Sequence, residues 1–90
     1  MKAVIKEGQI TGGYSPAEAV FAGIAASEVS GRIIVGRSEK GRSTEMGVIS
    51  GLLSGGSSVI SLGRCLETEL FFASRLAKCG LCIYIKDEPL

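Results

Sequence analysis

Ninety residues carrying ten basic and nine acidic side chains, no histidine and a net charge of +1 make a single domain, 1–90, which buries a smaller fraction of its surface than a typical domain and sits near the margin of independent stability. The charges do not cluster beyond the stretch from Arg37 to Arg42, which argues against nucleic acid or an anionic membrane surface as a partner, and no apolar run approaches the roughly 20 residues that span a bilayer. Against that small size, 46% of the residues are apolar and the mean hydropathy is +0.35, more apolar surface than one thin core needs, so a homo-oligomer or a protein partner is expected.

Lys2, Lys6 and Glu7 interrupt any signal-peptide layout, and the expected location is cytoplasmic. Cys65, Cys79 and Cys82 are then expected as reduced thiols. The Cys79-Gly80-Leu81-Cys82 motif sits where a helix is expected to end and a strand to begin. A redox pair needs the opposite arrangement, because a helix N-terminus lowers the thiol pKa. One further cysteine and no histidine leave too few ligands for zinc, so no metal site is expected.

In chain order, Lys2 to Lys6 is too short an apolar run to classify, and Gln9 to Thr11 is a weak strand between Gly8 and Gly12. Ser15, Pro16 and Glu18 form a helix start, with a serine N-cap, proline at the first helical position and a glutamate placed for a capping box. Ala19, Val20, Gly23 and Ile24 give that helix its apolar side. The small residues Ala22, Gly23, Ala25 and Ala26 would let it approach a sheet closely, and Gly31 would end it.

Arg32 to Val35 is a β-branched run bounded by glycines, which reads as a buried strand. A polar loop from Gly36 to Arg42 leads to a second helix. Ser43 or Thr44 would cap it, Glu45 would lie near its positive end, and Met46, Val48, Ile49, Leu52 and Leu53 would form its apolar side before Gly55-Gly56. Ser58 to Leu62 repeats the strand pattern. Glu67 or Thr68 opens a third helix, Gly80 ends it, and Leu81 to Ile85 is the last strand. Alternation of strands and helices through short connections implies right-handed crossovers, hence an α/β fold with a mostly parallel sheet and helices on both faces. Ligands gather at the C-terminal ends of such strands, here at Gly36 to Arg42, Gly63 to Glu67 and Lys86 to Leu90.

The segment from Gly36 to Ser43 nearly fits the phosphate-loop pattern G-x4-G-K-[ST], but Arg42 replaces the lysine. Arg37, Ser38, Lys40, Arg42 and Ser43 are therefore candidates for weak anion binding, with phosphate or a phosphosugar as the ligand.

A wider pattern covers about Ile10 to Pro89. Gly36-Arg37, Glu45-Met46, Leu62-Gly63 and Glu69-Leu70-Phe71-Phe72-Ala73, together with the helix start at Ser15-Pro16-Ala17-Glu18, resemble the first domain of the α-D-phosphohexomutases, the phosphoglucomutase and phosphomannomutase family. That family reads VVVGRDTR, SSEM, VIDLGxVPTPELYFA and GIMITASHNP along this domain. The resemblance implies a three-layer α/β/α domain whose four-stranded, mostly parallel sheet has an antiparallel first strand.

The resemblance is weaker at the family's functional positions. Gln9-Ile10-Thr11-Gly12 stands where the family has GIRG and lacks its phosphate-holding arginine. Ser38 replaces the aspartate of the RDTR loop and Lys40 its second arginine. The serine of TASHNP, phosphorylated in the family, aligns with Lys86, and an ammonium cannot form that phosphoester. The family enzymes use magnesium and three further domains, and the ligands for that ion are not among these residues. The expected function is thus a non-catalytic domain for binding or assembly with no cofactor and no catalytic residue. The alternatives are a part of a phosphosugar mutase and a phosphate-binding module. Self-association is expected at the edge of the last strand, where Cys82 to Ile85 is β-rich.

Overall fold

The structure, a computed structural model, describes residues 4–6, 9–11, 16–28, 32–39 and 42–86. The elements run β1 (Val4–Lys6), β2 (Gln9–Thr11), α1 (Pro16–Ala26), β3 (Arg32–Arg37), α2 (Arg42–Ser54), β4 (Ser58–Arg64), α3 (Glu67–Ala77) and β5 (Leu81–Lys86). The serine cap at Ser15, Gly31, Lys40 and the tail 87–90 lie outside the described residues. Among the described residues no helix is long and apolar enough to cross a membrane.

The strands lie in the order β1-β2-β5-β3-β4. β3 pairs parallel with both β4 and β5, and β2 pairs parallel with β5. Two expectations are corrected here. The sheet has five strands where four were expected, because the unclassified run contributes β1. The strand before Gly12, expected to be antiparallel, runs parallel to β5, and the antiparallel partner is the added β1. Connection length explains both results. Only residues 7 and 8 join β1 to β2, which permits nothing but an antiparallel neighbour, whereas the helix between β2 and β3 makes a parallel crossover.

The same handedness sets the layers. The steps from β2 to β3 and from β3 to β4 move across the sheet in one direction, so α1 and α2 fall on one face. The step from β4 to β5 moves back past β3 and puts α3 on the other. Strand alternation follows suit. Ile33, Val35, Ile83 and Ile85 pack with Ala19, Ala22, Ala26, Val48 and Leu52, while Ile34 and Tyr84 pack with Leu70 on the α3 side. β5 therefore lies between β2 and β3, with no open edge to offer a second chain. The expected site of self-association there is corrected on that ground.

Ala22 and Ala26 of α1 join the core with the strands, while Gly23 serves a neighbouring helix. A Cβ built on Gly23 would collide with the Val48 carbonyl oxygen and come within 2.9 Å of the Gly51 Cα and the Leu52 nitrogen. One on Gly51 would meet the Val20 carbonyl and stand 2.8 Å from the Ile24 nitrogen. With the helices this close, the buried face of α2 is Thr44, Glu45, Val48, Gly51 and Leu52. Met46 and Leu53, expected inside, are 63% and 58% exposed, and Ile24 is 41% exposed.

Helix ends follow local chemistry. Gly56, at φ 89°, lets the Gly56 and Ser57 amides bond back to the Leu53 and Leu52 carbonyls and stop α2. α3 has no side-chain cap from Leu66, but the Glu69 carboxylate accepts the Leu66 N–H at 2.7 Å. The left-handed residue past its end is Lys78 (φ 54°) rather than Gly80. At the exposed edge, Leu62 is an extra residue where the β3–β4 register shifts, next to Gly63 at φ 69°. Such a bulge twists an edge away from further pairing.

Candidate functional site

The topology defines one crevice. The chain leaves β3 toward α2 on one face and leaves β4 toward α3 on the other, so the two loops part at the C-terminal ends of neighbouring strands. A hollow of about 500 Å³ opens there, lined by Ser38 and Glu39 after β3, Arg64, Cys65 and Leu66 around the end of β4, Glu69 of α3 and Tyr84 of β5.

Backbone and side-chain bonds tie the three strand ends together. The Ser38 N–H donates to the Ile85 carbonyl at 2.9 Å, and the Cys65 N–H donates to the Arg37 carbonyl at 3.0 Å. The Tyr84 hydroxyl, reaching across from β5, donates to the Cys65 carbonyl at 2.7 Å. A side chain at Gly36 would stand 2.6 Å from Cys65 Sγ and 3.1 Å from Leu70 Cδ1, so glycine makes room for the thiol in the floor of the crevice.

Burial pushes the Cys65 thiol above its ordinary pKa, outweighing the backbone hydrogen bond near Arg37, and Glu69 and Glu45 add to the rise. Burial likewise raises Cys82, opposed by a hydrogen bond from Ser74, and raises Tyr84 with help from Cys65. A thiol held protonated in this way is a poor nucleophile.

Of the anion-binding candidates, Ser38 lines the crevice and Arg37 lies behind it at the end of β3. Arg37 is only 17% exposed at its side chain, with Nε 3.2 Å from Glu45 Oε1 and Nη1 donating to the Ser38 and Glu39 carbonyls, each at 3.3 Å. Its guanidinium thus organises the loop from inside. Arg42 and Ser43 are exposed in the first turn of α2, and Lys40 lies outside the described residues. Lys86 ends β5 with Nζ 3.4 Å from Glu67 Oε1.

The segments expected to gather ligands, Gly36 to Arg42 and Gly63 to Glu67, contain the crevice residues Ser38, Glu39, Arg64, Cys65 and Leu66, whereas Glu69 and Tyr84 were missed. The signal for Tyr84 was its position in β5, with the alternation that turns it away from Ile83 and Ile85. Glu45 was read as a helix-dipole residue, yet it is 7% exposed and keeps Oε2 without a hydrogen-bond partner. Around the rim, Arg64 Nη1 lies 3.9 Å from Glu39 Oε1, with both side chains well exposed. Two carboxylates and one guanidinium leave the lining slightly acidic. Among the described residues no group of three His, Cys, Asp or Glu side chains is placed to hold a metal ion.

Comparison of the chain with family models, with curated proteins and with solved structures finds no match.

Proposed function

We propose that this chain is a non-catalytic binding domain built on a scaffold resembling the first phosphohexomutase domain, with the crevice between β3 and β4 as its ligand site. The observation that carries the reading is the company Lys86 keeps. On the position where the resembling family has its phosphorylated serine stands an ammonium engaged by Glu67, and the other nucleophile nearby, the Cys65 thiol, has its pKa raised by burial. Phosphoryl transfer needs a nucleophile that can carry the group and cations that neutralise its charge. Here Arg37 is turned inward to Glu45, and Glu39 and Glu69 face the crevice.

That lining favours a small polar ligand that is neutral or cationic, with hydroxyl or amine donors for Glu39 and Glu69, over a phosphate. Amide spectra recorded during separate titrations with a neutral hexose, an amino sugar and a hexose phosphate test this. Shifts are expected at Ser38, Glu39, Arg64, Cys65 and Tyr84, with the amino sugar strongest and the hexose phosphate weakest. Incubation with a labelled sugar bisphosphate should leave the protein unlabelled. Stoichiometric phosphorylation would overturn the non-catalytic reading and favour a part of a phosphosugar mutase, while shifts with phosphate alone, centred on Arg42 and Ser43, would favour an anion-binding module.

A further inference from the structure

The outer face of α3 presents an apolar surface of an unusual kind. Of its large apolar residues only Leu70 is buried, while Phe71, Phe72 and Leu76 are 47%, 66% and 71% exposed. Spacing of three and four residues puts Thr68, Phe72 and Leu76 beside Phe71 and Arg75 in one stripe. Thr68, Phe71, Phe72 and Arg75 line a single shallow hollow of about 240 Å³.

We infer that this stripe is a symmetric dimer interface, in which α3 packs antiparallel on α3 of a second copy of the chain about a two-fold axis near Phe72. Charge selects the occupant. α3 carries Glu67 and Glu69 in its first turn and Arg75 in its last, followed by Lys78. An antiparallel pair brings the acidic start of each helix to the basic end of the other. With the axis at Phe72, Glu69 meets Arg75 of the second copy and Thr68 meets Leu76. A pattern complementary to its own reverse is what a two-fold contact requires, since one patch must serve both sides.

The helix dipole alone does not account for the pattern. α1 and α2 also have an acidic first turn, yet neither has a basic residue in its last turn. Arg75, though exposed, lines the same hollow as Phe71 and Phe72. At ~200 Å² for a whole aromatic side chain, the exposed parts of the two phenylalanines supply about 220 Å² per copy, a fraction of the ~800 Å² per partner of a standard interface. A weak, concentration-dependent dimer follows, and its symmetry sets it apart from the bulged β4 edge as a route to association.

Sedimentation velocity of the full chain from roughly 5 to 500 μM, a range matched to micromolar affinity, tests the inference. The mass should rise from 9.3 kDa toward twice that value as concentration increases. Phe72→Glu and Leu76→Glu, both at exposed positions, should each weaken association by roughly 30-fold with unchanged amide spectra, whereas Phe21→Glu on the opposite face should leave it as it is. Arg75→Glu should weaken it by roughly 5-fold, and Arg75→Lys, which keeps the charge, should retain most of the association. A chain that stays monomeric throughout, a dimer indifferent to both Phe72→Glu and Leu76→Glu, or a dimer no weaker with Arg75→Glu than with Arg75→Lys would overturn the pairing.

Discussion

Gly51→Ala sets two effects of known size against each other. Alanine is the better helix former by about 1 kcal/mol in a helix interior, so propensity alone predicts a more stable protein. At this position, however, the new methyl would collide with the Val20 carbonyl and stand 2.8 Å from the Ile24 nitrogen and 2.9 Å from the Gly23 Cα. All three are backbone atoms, which cannot swing aside as a side chain could, so α1 must move away from α2 along the crossing. Overpacking a close-packed interior costs about 1–3 kcal/mol, and separating two helices also loosens Ala19, Ala22, Val48 and Leu52 in the core they share, which places the gross cost at the upper end. The net expectation is a loss of about 2 kcal/mol, or a midpoint lowered by roughly 10 °C for a domain of this size. Urea unfolding followed by far-ultraviolet circular dichroism measures it, with Ser54→Ala at an exposed position of the same helix as the control, expected to gain a few tenths of a kcal/mol by propensity alone. If Gly51→Ala were as stable as the parent or more so, the close crossing of α1 and α2 would be wrong.

The remaining predictions concern the crevice. Arg37→Ala should cost about 3 kcal/mol, because it strands the Glu45 carboxylate, 9% exposed at its side chain, with neither oxygen paired. Arg64→Ala removes an exposed contact to Glu39 and should cost no more than about 0.5 kcal/mol; chemical denaturation of the two variants compares them directly. Tyr84→Phe should lose about 1 kcal/mol by leaving the Cys65 carbonyl without its hydroxyl donor, read by the same assay. The raised pKa values of Cys65, Cys82 and Tyr84 give a pH dependence: the folded state holds these protons longer than the unfolded chain, so stability is full below the ordinary thiol value of 9.0 and falls as pH rises through the shifted values. The denaturation midpoint should therefore hold steady up to pH 9.0 and drop above it, and drop less in a variant carrying Cys65→Ala and Cys82→Ala.

Much of the scaffold was legible for local reasons. Arg32–Arg37, Ser58–Arg64 and Leu81–Lys86 are β-branched runs set off by glycines, and each extends only one or two residues past the predicted end. What pattern could not supply was position within the sheet. β5 comes last in the chain yet lies in the interior, because the direction of each crossover, and not chain order, decides a strand's neighbours. Periodicity also marks apolar positions without saying which of two apolar faces is buried. α2 buries Thr44 and Glu45 in preference to Met46, since Arg37 draws Glu45 inward and the glycine crossing turns the helix with it. The crevice was legible only as a set of strand ends. Its lining comes from three strand ends and one helix, and Tyr84 became a site residue only when register placed it opposite Gly36.

The two faces of the sheet are unequally covered, and both functional readings follow from that difference. On one face α1 and α2 meet through glycines and close over Ile33, Val35, Ile83 and Ile85, all at 0% exposure. On the other, α3 alone shields Ile34 and Tyr84, with one fully buried residue, Leu70, beneath it. A single helix cannot cover a five-stranded sheet, so that side retains the open crevice at the strand ends, while the helix turns its remaining apolar residues outward. The proposed ligand and the proposed second copy would thus meet the same element: Glu69 lines the crevice, caps the Leu66 amide and lies one residue from Leu70. Binding that orders the first turn of α3 would also fix the acidic end of the dimer stripe. Linkage then requires the converse, that dimerisation tighten the ligand by the same factor. Titrating ligand into Phe72→Glu and into the parent at equal concentration measures that factor, and equal affinities would show that the two surfaces of α3 act independently.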